Sequence, residues 1–168
     1  MGVQVLQQMG SAKWGKSLPF LATALALGLT ALALGGCSKQ ESDPPAPVEC
    51  KEGPDAVQAA LARAPARVEV RGRSLSDCFT RGSNSADLQL VGASYVTVAA
   101  RLAAAAKERP EGAEARRLGY LVGAARRGAS ETQGIHEELM RRIEQELTGV
   151  DTRSAAYRRG FRAGRERG

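Results

Sequence analysis

From Leu88 onward the apolar residues recur in steps of three and four: Leu88, Val91, Tyr95, Val98, Leu102 and Ala105. That spacing stacks side chains on one face of an α-helix. It predicts a long amphipathic helix running to about Arg109, where Pro110 must end it. Asn84-Ser85-Ala86-Asp87 marks its start with a capping side chain and an early acid. A further helix is expected over about 111–128, with Leu118, Leu121, Val122, Ala125 and Ala129 inward. In the next one Ile135, Leu139, Ile143 and Leu147 recur every four residues. Glu137–Arg141 and Glu138–Arg142 stand four apart across it, each pair adding a few tenths of a kcal/mol. The stretch Gly128 to Gly134 decides whether these are two helices or one kinked rod. Past Gly149, Asp151 or Thr152 can cap a last, arginine-rich helix.

Upstream the pattern is shorter. Pro54 suits a first helical turn, Val57, Ala60, Leu61 and Ala64 form a stripe, and Pro65 stops it. Arg67-Val68-Glu69-Val70 alternates, Arg71-Gly72-Arg73 turns, and Ser74 to Phe79 reads as one helical turn. The fold class expected is therefore all-α in the main, a small helical bundle with a short extended segment near 67–71. Gly119-Tyr120-Leu121-Val122-Gly123 sets two glycines four apart inside a helical pattern. A phosphate-binding loop would have to follow a strand and open a helix, so close helix packing is the reading. Tyr120-x-x-Gly123 is echoed by Tyr157-x-x-Gly160, too short a match to define a repeat.

The start of the chain is of another kind. Lys13 and Lys16 precede an uncharged run from Ser17 to Ser38 rich in Leu and Ala, the pattern of an export signal. The run ends Leu34-Gly35-Gly36-Cys37, which resembles the lipobox of bacterial lipoproteins. The resemblance implies that Cys37 is diacylated and that residues 1–36 are removed. An uncleaved span and a simple signal peptide cut near Ala31-Leu32-Ala33 are the other readings of these residues. Several acyl chains hold a protein durably where one gives only marginal binding. Residues 37–48, polar and then Pro-rich, are expected to be a lipidated tether, leaving 49–168 as the helical domain. With Cys37 lipidated, Cys50 and Cys78 are the remaining thiols, and outside the cytoplasm thiols tend to pair. A Cys50–Cys78 disulfide is expected, stabilising by roughly 3.5 kcal/mol in the chain-entropy model.

Composition adds two points. Of 168 residues 29 are alanine, so the interior must be built from small and aliphatic side chains, with aromatics only at Phe79, Tyr95, Tyr120, Tyr157 and Phe161 beyond the leader. Charge is uneven: Arg153, Arg158, Arg159, Arg162, Arg165 and Arg167 face a single acid, Glu166, at the C-terminal end. Such a helix can lie on anionic lipid or clamp phosphate or carboxylate polymers. Arg153, Arg158, Arg159, Arg162 and Arg165 are the candidate anionic-surface residues. The only histidine, His136, precedes Glu137 and Glu138, but position 140 is Met, so the spacing of a zinc helix is missing. No Gly-x-Ser-x-Gly elbow occurs. The sequence implies no catalytic residue, metal or cofactor. It points to a non-enzymatic envelope lipoprotein, held by its lipid in the cell membrane or outer membrane, facing periplasm or exterior. Its partner would be an envelope protein or anionic polymer, not nucleic acid. An envelope hydrolase or metal-dependent enzyme using His136 is one alternative, and a binder of anionic lipid or polymer through the arginine-rich end is the other. The leader reading makes a firm prediction. Intact-mass analysis of membrane-derived protein should show a chain beginning at an acylated Cys37, and Cys37→Ala should abolish both acylation and partitioning into detergent.

Overall fold

The computed structural model describes residues 44–79, 84–130 and 134–168. Residues 1–36, expected to be an export leader, Cys37, and residues 38–43 of the expected tether lie outside the described residues. Five α-helices appear: α1 (Pro54–Ala60), α2 (Ser85–Glu108), α3 (Ala113–Ala129), α4 (Ile135–Gln145) and α5 (Ala155–Arg167). Short 3-10 turns lie at Val48–Lys51, Leu61–Arg63 and Asp77–Phe79. β1 (Glu69–Val70) and β2 (Arg73–Ser74) pair antiparallel, Glu69 opposite Ser74 and Val70 opposite Arg73. The expected mostly-helical class with an extended piece near 67–71 is what the fold shows.

The predicted faces place the core. Leu88, Val91, Tyr95, Val98 and Leu102 of α2 are buried, and beyond them Ala106 rather than Ala105 takes the inward position. The Asn84 side chain accepts from the N–H of Asp87 at 2.9 Å, which starts α2 where the sequence places it. On α3, Leu118, Leu121, Val122 and Ala125 are buried. α3 and α4 are separate helices, and Gly134, at φ +70°, precedes the second. In the hairpin, Arg71 and Gly72 both have positive φ, 48° and 82°, the backbone a two-residue turn needs to follow strand twist.

Two buried phenols fix the hairpin region to the helices. Tyr95 donates to the carbonyl of Leu75 at 2.8 Å, and Val68 N–H donates to the Tyr120 hydroxyl at 3.0 Å. The Phe79 and Tyr95 rings lie 5.0 Å apart. The sulfurs of Cys50 and Cys78 are bonded, with Cα atoms 5.5 Å apart, so the first 3-10 turn is clipped to the turn that precedes α2.

Two expectations about ends are corrected. Residues 44–47, expected within the tether, lie against the domain: Ala46 is buried, its N–H donates to Asp87 Oδ2, and Asn84 N–H donates to the Pro44 carbonyl. The cause is Asp87, whose Oδ2 also receives Lys51 Nζ at 3.1 Å and the Asn84 amide at 3.1 Å. The cap of α5 is Ser154, which accepts from Tyr157 N–H, while Asp151 accepts from Arg153 N–H one turn earlier.

The tightest packing joins α3 to α5. A Cβ on Gly119 would stand 2.1 Å from the Tyr157 carbonyl oxygen, and one on Gly123 2.3 Å from that of Phe161. Reciprocally, a Cβ on Gly160 would stand 1.9 Å from the Arg116 carbonyl oxygen, and one on Gly164 2.2 Å from that of Tyr120. The partners climb together along both helices, so α3 and α5 run parallel, and α4 belongs to the return path between them. Backbone meets backbone along this seam, with no space for a methyl group. Overpacking a rigid contact of this kind costs about 3 kcal/mol. Gly160→Ala should therefore lower the thermal midpoint by about 10 °C, while Arg159→Ala one residue earlier should change stability by about 0.5 kcal/mol or less. Circular-dichroism melts of the two variants check this.

Candidate anionic-surface site

The arginine-rich helix is fixed in place before its charges are considered. Its first free N–H groups, those of Ala155 and Ala156, donate to the two carboxylate oxygens of Glu111, each at 3.0 Å. An anion at a helix N-terminus satisfies orphan donors and complements the dipole. Glu111 stands just before α3, so this contact also sets the parallel start of α5. At the other end Arg127 Nη1 donates to the backbone carbonyls of Arg165, at 3.2 Å, and Glu166. Between the ends, Tyr157, Gly160 and Gly164 face α3 and are buried.

What remains outward is cationic. At 3.6 residues per turn, Arg158, Arg159, Arg162 and Arg165 fall within an arc of about 120° opposite the glycine face. All four side chains are exposed, and none forms an ion pair among the described residues. Arginines elsewhere are engaged: Arg67 with Glu69, Arg71 with Glu52, Arg101 with Asp55, and Arg126 with Glu144. Arg153 is exposed too, but it precedes α5 and stands apart from the stripe. Four of the five candidate residues thus come together on one helix face.

Arg126 and Arg127 were missed as parts of this region. Arg126 lies over the Phe161 ring, 5.6 Å from its centre, and holds Glu144 at 2.7 Å, so it ties α3, α4 and α5 at one point. The adjacent basic pair in the last turn of α3 was the available signal. Beside the end of α5 lies a polar cavity of about 340 Å³, walled by Arg67, Arg127 and Arg167 with Ser76, Asp77 and Glu166. Its two acids offset most of that positive charge.

His136 is placed in the core. It is only 8% exposed, 6.4 Å from the Phe79 ring centre, and its Nε2 has no hydrogen-bond partner among the described residues. Glu138 points elsewhere, to Arg142 and Arg141 at 2.8 Å each, and these two cations hold its carboxyl below the ordinary carboxylate range. Arg141 pairs with this Glu138 rather than with Glu137, because the two guanidinium groups share one carboxylate. His136 and Glu138 therefore do not converge. Among the described residues no group of three or more His, Cys, Asp or Glu side chains is placed to hold a metal ion.

Comparison with family models, with curated proteins and with solved structures finds no match for this chain.

The aromatic residues of the seam give α5 a titration signature. Burial pushes the Tyr157 phenol up to about 12, with Arg126 opposing and Glu144 adding to the rise. Burial also raises Tyr95 and Tyr120. The folded state thus favours the neutral phenol over the unfolded chain. Stability from this source is complete below the ordinary phenol value of about 10 and is lost as pH climbs toward 12. Between those values the melting point should fall, with phenolate absorbance appearing only as the chain unfolds. Tyr157→Phe should remove about 2–3 kcal/mol of that pH-dependent loss.

Proposed function

We propose that this chain is a membrane-anchored envelope lipoprotein whose helical domain is a non-enzymatic binding module for an anionic polymer. The observation that carries the reading is the outward face of α5, where Arg158, Arg159, Arg162 and Arg165 are exposed and unpaired on a helix locked to its neighbour. A frayed basic tail would have to be ordered on binding, at a cost in conformational entropy. A helix already pinned by glycine contacts and by Glu111 does not incur that cost, and preorganisation of this kind favours affinity.

Spacing suits a repeating anion. Arg158, Arg162 and Arg165 span about 10 Å along the axis at 1.5 Å per residue, enough to meet successive phosphate or carboxylate groups of an extended polymer. Guanidinium groups bind such oxyanions bidentately. Placement of the stripe favours a polymer over the anchoring bilayer. α5 packs on α3, and α3 on α2, while Pro44, the first described residue, is bonded at the start of α2.

A direct test is retention of the domain on immobilised polyphosphate. Replacing Arg158, Arg159, Arg162 and Arg165 together by Ala should leave the helical spectrum and melting unchanged. The salt concentration needed for elution should fall by about half or more, because exposed charges are screened by salt. Equal retention of the two proteins would reject the assigned face.

A further inference from the structure

α2 carries a second outward face, and its chemistry differs from that of α5. It is the one described helix long and apolar enough to cross a bilayer, with a mean hydropathy of 1.3, yet half of that stretch is buried in the domain. The other half is the unusual part. Ala86, Leu90, Ala93 and Thr97 are exposed and fall within an arc of about 60° at 3.6 residues per turn, while Arg101 and Glu108 bound this face at the far end of the helix and Arg142 of α4 borders it beside Ala93 and Thr97. No charged residue occurs between Leu88 and Ala100. A helix on the surface of a soluble domain normally turns its charged residues outward.

The large exposed apolar side chains among the described residues are Leu90, at 58%, and Val48, at 68%. Both belong to segments gathered at Asp87. Leu90 lies one turn beyond it on α2, and Val48 stands between Ala46 and Lys51, which both donate to its carboxylate. Asp87 is paired with Lys51 and Glu52 with Arg71, which leaves Glu49, beside Val48, as the acid without an ion pair among the described residues of this segment.

We infer that this face of α2, with Val48 and Leu90 at its leading end, rests on the interface of the anchoring bilayer. The inference depends on the lipid-anchor reading above, and the length of chain between anchor and domain selects the occupant. Pro44 is already fixed, its carbonyl accepting from Asn84 N–H at 3.0 Å. Seven residue steps separate Cys37 from Pro44 and reach at most about 25 Å when fully extended. α2 itself is about 36 Å long at 1.5 Å per residue. The acyl group therefore holds the start of α2 within less than one helix length of the lipid. The uncharged first turns of this face, small side chains with Leu90 protruding, meet the acyl boundary there, with Val48 exposed on the neighbouring 3-10 turn. Two such side chains add modestly to binding, so they orient a protein that the lipid already retains.

Tryptophan fluorescence can test the contact, because the chain has a single Trp, Trp14, within the leader. Acylated protein carrying Leu90→Trp is reconstituted in phosphatidylglycerol–phosphatidylethanolamine vesicles with bromine near the top of the acyl chains. Thr152→Trp, an exposed position before α5, serves as reference. The expected result is blue-shifted Leu90→Trp emission, quenched about twofold or more by the brominated lipid, with the reference unquenched. Equal quenching at both positions in protein that still floats with the vesicles overturns the bilayer contact and leaves the anchor standing. Protein that lacks acyl mass and fails to float overturns the anchor reading, and the contact with it. A blue shift that appears without lipid and grows with protein concentration assigns the stripe to a second copy of the chain and also overturns the proposal.

Discussion

Contact between the backbones of α3 and α5 is the constraint on which the rest of the domain depends. Gly119 and Gly123 on one helix and Gly160 and Gly164 on the other each lie against a carbonyl oxygen of the partner. Two helices brought this close gain dispersion contacts along their whole facing surface, which compensates for a core poor in large aromatic residues. Parallel running follows from the same seam and dictates the topology. A chain cannot place two sequential helices side by side in parallel without a return segment, and α4 with the residues up to Ser154 provides it. Glu111 then marks where the second helix begins, since its carboxylate meets the first N–H groups of α5.

The same contact explains why six arginines can end this domain without disordering it. Like charges along α5 repel one another and weaken an isolated helix. Here the opposite face is locked by glycine contacts, and Arg127 covers two of the last carbonyls. Repulsion among Arg158, Arg159, Arg162 and Arg165 is thereby carried by tertiary packing rather than relieved by fraying. Their guanidinium groups stay available to solution, while Arg67, Arg71, Arg101, Arg126, Arg141 and Arg142 find acids. The outward arc of four arginines without an ion pair among the described residues is thus a product of the seam as much as of the composition.

Legibility in the sequence followed the strength of the periodic signal. α2 was readable to within a residue at each end because Asn84 caps it, Pro110 stops it and its apolar steps never break. The Cys50–Cys78 pairing followed from parity once Cys37 was set aside. The seam was half visible. Gly119 and Gly123 suggest close packing, but the echo visible in the sequence pairs Tyr120-x-x-Gly123 with Tyr157-x-x-Gly160. In space the matching segments are Gly119-Tyr120-x-x-Gly123 and Gly160-Phe161-x-x-Gly164, each glycine pair lying against backbone of the other helix. Residue identity points to the tyrosines, whereas the contact depends on the missing Cβ atoms. Residues 44–47 were misread for a different reason. Proline-rich composition speaks for extension, not for exposure, and the carboxylate of Asp87 that binds this segment lies 41 residues beyond Ala46. Only tertiary structure brings them together.

That last contact bears on how the two faces of the domain would relate to a membrane under the proposed anchor. A tether reaching to residue 48 would let the domain tumble, and any exposed face could then meet the lipid. Fixing Pro44 and Ala46 at the start of α2 shortens the free chain and ties it to one corner of the domain. α3 intervenes between that corner's helix and α5 in the packing order. Under the proposed lipid anchor at Cys37, the apolar stripe of α2 and the cationic arc of α5 would not compete for one surface: short covalent reach favours lipid for the first, and the second is left to ligands that arrive from solution. Had the arginines lain beside Asp87, they would read as further membrane anchors. Because they lie on the helix across α3 from it, their positive charge better suits the proposed role of drawing an anionic polymer toward the domain.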